Sequence, residues 1–303
     1  SILTIAAFLL IMAAAWFMGL QIFIIKSFCP WCLTTHLVGL LTAGAIFWKA
    51  RAPFKPSFVI IPLVLMTYLI LGQIYGPKPK TYAFTSDAVL EKKERGNSHN
   101  AGKGRLVTFK DATGRVVKTY RLGSVPLIGS PDAKHFLVKY FDYTCQSCRT
   151  MEEDLTVLMQ TYPGQVAVIV LPTPLNRACN LYLDPKIHDH EHACQLARLG
   201  LAVWRAQPES FEAAHEILFQ RPVHSEVSAR AELQEIIATE KLEAALKDPW
   251  VEAVLRSNLE DYRKLSSKRR EMPKLMIKAN KTMHGLSSST EQFLKMITKE
   301  FQL

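Results

Sequence analysis

Two pairs of cysteines in this 303-residue chain are spaced for chemistry: Cys29-Pro30-Trp31-Cys32 and Cys145-Gln146-Ser147-Cys148. Thiols at C-x-x-C spacing can close into a disulfide and open again, or hold a soft metal ion; the spacing suits redox or metal chemistry better than a structural staple. The first pair lies between two runs apolar enough to cross a bilayer, where a lipid-soluble electron carrier could reach it. The second follows a strand-like run, His135–Phe141, and opens a helix-like one. Cys145 therefore falls at a helix N-terminus, whose partial positive charge stabilises a thiolate. This makes Cys145 the expected nucleophile and Cys148 the expected resolving thiol. The competing reading of each pair is a metal site or a fixed disulfide. For the first pair, His36, one helical turn beyond Cys32, could add a ligand, although a histidine packed between helices is the commoner case.

The elements around these motifs divide the chain in two. Ile2–Ile25 is 24 residues without a charge, and Ser27–Trp48 and Ser57–Pro77 are charge-free over 22 and 21. At 1.5 Å per residue the first run makes roughly 36 Å of helix, enough to span a bilayer. Residues 1–77 are thus expected to form an α-helical transmembrane domain of three spans. Two spans separate Cys29 and Cys32 from everything after Gly76, so both C-x-x-C motifs belong on the same side. The basic turn Lys49–Lys55 favours the cytoplasm for the opposite side. The expected location is the cytoplasmic (inner) membrane, multi-pass, with both motifs and the C-terminal domain on the periplasmic face. Six cysteines in three pairs fit an oxidising compartment.

The formal charge of +10 does not argue for nucleic acid. Six of the 37 basic residues fall in the first 80 positions, leaving 31 against all 27 acidic ones, and no basic patch is interleaved with aromatics. Residues 78–104 are mixed and aperiodic and are expected to be a linker. From 105 to 303 the pattern is α/β. A hairpin is expected over Arg105–Leu122, then the strand His135–Phe141, a helix over Arg149–Tyr162 and a buried strand Val166–Leu171. A helical insertion follows from about 192 to 265, with segments at 194–204, 210–219, 229–246 and 249–265. Strands at Lys274–Lys278 and Lys281–His284 precede a last helix that Ser287–Glu291 can cap.

In this order, with Phe141-Asp142-Tyr143-Thr144-Cys145-Gln146-Ser147-Cys148 between strand and helix and Met272-Pro273 before the late strands, the C-terminal part resembles thioredoxin-fold oxidoreductases of the periplasmic disulfide-forming type. The resemblance implies that Pro273 is a cis-proline facing the cysteines and that Met272 and Pro273 bind the client. It departs between the cysteines, where Gln146-Ser147 replaces the Pro-His or Gly-Pro of well-known members and leaves the potential open.

Cys29-Pro30-Trp31-Cys32 at the mouth of a span resembles the redox motif of the vitamin K epoxide reductase family, whose bacterial members often carry a fused thioredoxin-like domain. That resemblance implies that Cys32 is the thiol beside a quinone, that Cys29 receives electrons, and that Phe28 and Trp31 line the quinone pocket. It also implies four bundle helices and a shuttle cysteine pair before the motif, of which this sequence, starting at Ser1, shows no counterpart. The chain is therefore expected to begin inside a longer gene product.

The third pair, Cys179 and Cys194, brackets His188-Asp189-His190-Glu191-His192. It could form a structural disulfide closing a loop of about 15 residues, or hold zinc or copper with two of the histidines. The oxidising compartment favours the disulfide, so no bound metal is expected.

The resulting expectation is a membrane-bound thiol–disulfide oxidoreductase. It would take electrons from reduced secreted or periplasmic proteins at Cys145 and Cys148 and deliver them through Cys29 and Cys32 to a membrane quinone, its electron-accepting substrate. A membrane-tethered isomerase or reductase, and a non-enzymatic metal carrier using the Cys/His loop, are the alternatives.

Overall fold

The computed structural model describes residues 2–19, 21, 30–50, 57–75, 82–85, 104–110, 113–220, 225–266 and 269–303. They fall into two compact units, Ser1–Pro79 and Lys80–Leu303. The first unit holds three helices, α1 (Ile2–Gly19), α2 (Pro30–Ala50) and α3 (Ser57–Tyr75). Helix α1 packs against both others, and buried Ala7, Ala14 and Ala43 mark where side chains are small. Phe8 meets Phe47 edge to face at 5.0 Å, and the His36 ring stacks on Phe17 at 5.8 Å. These helices are apolar all round, with Leu37, Val38, Leu41, Leu63 and Val64 more than half exposed. Among the described residues, one helix, Trp31–Lys49, is long and apolar enough to cross a membrane, and Leu3–Gly19 is a shorter apolar helix.

The second unit is built on a six-stranded sheet. In chain order its elements begin with β1 (Tyr82–Thr85), the hairpin strands β2 (Leu106–Lys110) and β3 (Val116–Arg121), β4 (Leu127–Ile128), β5 (His135–Phe141), α4 (Gln146–Thr161) and β6 (Val166–Pro172). Then come α5 (Ala193–Ala206), α6 (Phe211–Leu218), α7 (Glu226–Leu233), α8 (Thr239–Leu246) and α9 (Pro249–Leu265), followed by β7 (Lys274–Lys278), β8 (Lys281–Gly285) and α10 (Thr290–Phe301). The sheet order is β1-β8-β7-β5-β6-β4, and β2 pairs only with β3. Strands β5 and β6 run parallel, joined by α4 as a crossover, while β7 pairs antiparallel with β5.

Side chains on the central strands alternate between two cores, as a pleated sheet covered on both faces requires. Leu137 and Phe141 of β5 join Val168 and Val170 of β6 in the core with α4, α10 and the helical insertion. Phe136, Val138 and Tyr140 join Ala167, Ile169 and Leu171 in a smaller core that the β2–β3 hairpin closes with Phe109, Val117 and Tyr120. Buried Met151, Leu155 and Leu158 give α4 its inward face, and Phe293 and Ile297 do the same for α10. Ser289 caps α10, its Oγ accepting from the Gln292 N–H at 3.2 Å.

Two expectations need correction. The stretch from 78 to 104 is not all linker, because Tyr82–Thr85 forms β1, an edge strand paired antiparallel with β8. Four residues are too few to show a period, and the partner lies some 200 positions away; 86–103 lie outside the described residues. The helix expected over 229–246 is two helices, α7 and α8. No glycine or proline marks the break. Instead the freed Ile236 carbonyl accepts hydrogen bonds from Gln207 Nε2 at 3.1 Å and Ser210 Oγ at 3.4 Å, and the turn buries Ile237. Tertiary contacts outweigh helix propensity there.

Between β6 and α5 the chain forms a long loop closed by a disulfide between Cys179 and Cys194, with Cα atoms 6.1 Å apart. Closing a loop of 15 residues removes conformational freedom from the unfolded chain worth about 3 kcal/mol. The double variant Cys179→Ala/Cys194→Ala should lose about that much stability in urea unfolding of the full chain.

Candidate active site

Strand β5 delivers the chain to the site. At its end Cys145 takes an extended conformation as the N-cap of α4, and its Sγ accepts from the Cys148 N–H at 3.4 Å. Cys145 is 7% exposed and Cys148 fully buried, with the Cys148 Sγ accepting from the Asp142 N–H at 3.5 Å. The hydrogen bond from the Cys148 side chain, aided by the backbone amides of Cys148 and Ser147, holds the Cys145 thiol below its ordinary pKa against the opposing effects of burial and Asp142. Burial, and then the hydrogen bond and charge of Cys145, push the Cys148 thiol well above it. One thiol of the pair thus keeps a little exposure and has its pKa lowered, while the other is fully enclosed and has its pKa raised.

Asp142 fixes the turn that joins strand to helix. Its buried carboxylate accepts from the Thr144 N–H at 2.6 Å and the Thr144 hydroxyl at 2.5 Å on Oδ1, and from the Leu175 N–H at 2.5 Å on Oδ2. Burial still raises its pKa, more than these bonds and the neighbouring His190 lower it. His190 Nδ1 lies 2.8 Å from the Thr144 hydroxyl and 3.9 Å from Asp142 Oδ2. With the Thr144 hydroxyl donating to Asp142, the contact to Thr144 is made by His190 Nδ1–H as donor. Asp142 carried a signal in the sequence, a carboxylate at the end of a mostly apolar strand. His190 carried none that separated it from His188 and His192.

The late strands complete the site. Tyr140 of β5 lies opposite Lys274 of β7 in antiparallel register. That register puts Met272 and Pro273 at the end of the sheet where β5 passes into the cysteine loop. The Met272–Pro273 peptide bond is cis; Pro273 is buried and Met272 half-buried. The sequence pattern that defines the thioredoxin family matches residues 122–299, more than half of the chain. The chain belongs to the thioredoxin family.

Among solved structures, the catalytic domain of Proteus mirabilis ScsC is 25% identical with a TM-score of 0.48, covering 61% of this chain and 93% of its own. A periplasmic thioredoxin-like protein from Salmonella enterica serovar Typhimurium is 24% identical with a TM-score of 0.45, covering 60% and 92%. The thiol-disulfide exchange protein alpha-DsbA2 from Wolbachia pipientis is 18% identical with a TM-score of 0.47, covering 58% and 87%. No curated protein matches the chain.

Beneath Cys148 the thioredoxin domain encloses a charged cluster that the sequence did not reveal. Lys139, in the middle of β5 and fully buried, pairs with Glu152 of α4. Glu152 lies one helical turn beyond Cys148, so the pair sits below the thiol. The Lys139 ammonium also lies over the Phe219 and Phe141 rings, at 4.7 and 5.2 Å. His215 Nε2 is 3.3 Å from Glu152 Oε2, and its Nδ1 is 2.9 Å from the Tyr143 hydroxyl. Although burial opposes it, the Lys139 and His215 charges hold the Glu152 carboxyl well below the usual carboxylate range.

The other expected site residues are placed as follows. Cys32 is half-buried in the first turn of α2, and Trp31 beside it is 84% exposed. Phe28 and Cys29 lie outside the described residues. The two C-x-x-C motifs belong to different units. Cys179 and Cys194 are bonded to each other, and among the described residues no group of three or more His, Cys, Asp or Glu side chains is placed to hold a metal ion.

Two measurements check this geometry. Because the Cys145 pKa is lowered, its thiolate population at a given pH rises above that of an ordinary cysteine. Alkylation of the reduced protein should therefore modify Cys145 with a half-maximal rate below pH ~8.5, while Cys148 stays unmodified. Glu152→Gln leaves the Lys139 ammonium buried without its counter-charge and should lower unfolding stability by about 3 kcal/mol.

Proposed function

We propose that the chain is a membrane-bound enzyme that makes disulfides in secreted proteins and passes their electrons to a quinone. The observation that carries this reading is the asymmetry of the thiol pair, with the Cys145 pKa lowered at a helix N-terminus and that of the enclosed Cys148 thiol raised. A stabilised Cys145 thiolate favours the reduced form of the pair, so the disulfide form is a willing oxidant.

In the oxidised enzyme a client thiolate attacks Cys145 Sγ, the Cys145–Cys148 bond breaks, and Cys148 leaves and takes up a proton. The second client thiol then attacks the client sulfur of the mixed disulfide and releases Cys145 as thiolate. Two electrons have moved from client to enzyme; one of the two client protons is now on Cys148 and the other has gone to solvent. Met272, whose main chain lies beside the cysteines, offers an edge for an extended client segment. The reduced pair is reoxidised by thiol–disulfide exchange ending at Cys29 and Cys32, which pass two electrons and two protons to the quinone. Cys32 is the thiol assigned to the quinone, with Phe28 and Trp31 as its apolar walls.

The apolar, outward-facing surface of α2 and the charge-free runs of the first 77 residues support a membrane unit of three spans of the vitamin K epoxide reductase type. The periplasmic face is supported by the Cys179–Cys194 disulfide, a bond that persists in oxidising compartments.

In detergent or vesicles, the full-length protein supplied with a reduced client and a quinone should consume the quinone, and Cys32→Ala should abolish consumption while leaving a single round of client oxidation at Cys145 intact. Quinone turnover at the normal rate in Cys32→Ala would overturn the electron path. Failure of oxidised Cys145–Cys148 to oxidise the client even once would overturn the disulfide-forming reading.

A further inference from the structure

The buried ammonium of Lys274 takes no part in the steps above, yet its surroundings are built around it. Lys274 opens β7, directly after Met272 and Pro273, and is fully buried. Its Nζ donates to the Arg269 carbonyl at 2.8 Å and the Glu271 carbonyl at 3.2 Å, and lies 3.2 Å from His284 Nδ1. Burial, and then the Lys274 charge, pull the His284 pKa down to about 4, so at neutral pH the ring is uncharged and its Nδ1 can accept. An ammonium has three protons, and here it has three acceptors. Burial draws Lys274 itself down to about 8, partly offset by Glu271 and by Cys148, which leaves it mostly protonated at pH 7. The Tyr262 ring lies 5.5 Å from the same Nζ.

Two of the three acceptors are main-chain carbonyls of the exposed segment that leads into Met272. On its outer side the same segment is held by the ion pair of Arg270 with Asp184. The Pro273 carbonyl is taken by the Gly285 N–H at 2.9 Å, whereas among the described residues no backbone hydrogen bond engages the N–H or carbonyl of Met272. The fold thus fastens Arg269 and Glu271 from within and leaves the main chain of Met272 open to an incoming strand.

We propose that Lys274 is a positioning residue for client binding: by tying the Arg269 and Glu271 carbonyls to the floor of the site, it holds the Met272 main chain in the extended form that pairs with a client segment. This rests on the reading of Met272 as the client-binding edge. A tether of this kind sets how well an extended polypeptide is held, whereas any effect of the Lys274 charge on Cys148 falls equally on a small thiol that needs no such edge.

The test compares wild type with Lys274→Met, which removes all donors, and Lys274→Gln, which keeps two without the charge, each in the full chain. The probes are dithiothreitol and a ten-residue peptide carrying two cysteines, both reacting with oxidised Cys145–Cys148. In Lys274→Met the peptide KM should rise about tenfold, the equivalent of one to two lost hydrogen bonds. The maximal peptide rate and the dithiothreitol rate should stay within about twofold. Lys274→Gln should fall between, and amide hydrogen exchange over residues 269–272 should quicken in the same order. If Lys274→Met does not fold, the Gln variant and its exchange carry the test. An unchanged peptide KM in a folded variant overturns the proposal, and so does an equal fall in peptide and dithiothreitol rates, which would place the effect at the thiols. A wild type that reacts with dithiothreitol but not with the peptide would instead overturn the client-oxidising reading itself.

Discussion

Everything in the second unit serves to aim the first turn of α4 at one sulfur. A helix start leaves amide protons without partners, and here one of them, on Cys148, points at Cys145 Sγ. For that to stabilise a thiolate, the strand before the helix must stop at a fixed place, which is why Asp142 is spent on main-chain and hydroxyl protons of the turn. The strand must also be immovable, and β5 achieves this as an inner strand of the sheet with side chains buried on both faces. The helical insertion, the hairpin and α10 cover the two faces of that sheet.

The second theme is charge kept inside. Lys139 and Lys274 are both fully buried, on neighbouring strands. Each is solvated by the protein in a different manner, Lys139 by a carboxylate and aromatic faces, Lys274 by main-chain carbonyls and a neutral imidazole. An uncompensated ion in such a place would cost several kcal/mol, so both arrangements have to be complete. Their proximity to Cys148 means that the enclosed thiol sits in a positive field, which offsets part of the cost of ionising it: the Lys139 charge lowers the Cys148 pKa, against the larger effect of burial.

Much of this could be read from the chain. The strand-like run His135–Phe141, the C-x-x-C directly after it and Met272-Pro273 before the late strands gave the core of the second unit, because each is a local pattern with a local cause. What escaped the sequence was non-local. β1 is defined by a partner some 200 residues later, and the break between α7 and α8 by donors from Gln207 and Ser210. The Lys139–Glu152–His215 cluster joins three elements, and a lysine inside an apolar strand looks no different in sequence from one at an edge. His190 was singled out only as one of three histidines in a row; its pairing with Thr144 comes from the path of the loop.

That loop has a consequence for where the protein can work. His190 is held at Thr144 by a segment whose two ends are joined covalently through Cys179 and Cys194. Without that bond its seat would depend on the Leu175 carbonyl, which accepts its N–H at 2.8 Å, and on Asn176, whose amide reaches its carbonyl at 2.8 Å. The disulfide therefore makes the polar contacts around the reactive cysteines sensitive to the thiol balance of the surroundings. A chain kept among reducing thiols would carry the same thiol pair beside a looser neighbour, so compartment acts on the site through its scaffold as well as through its sulfurs.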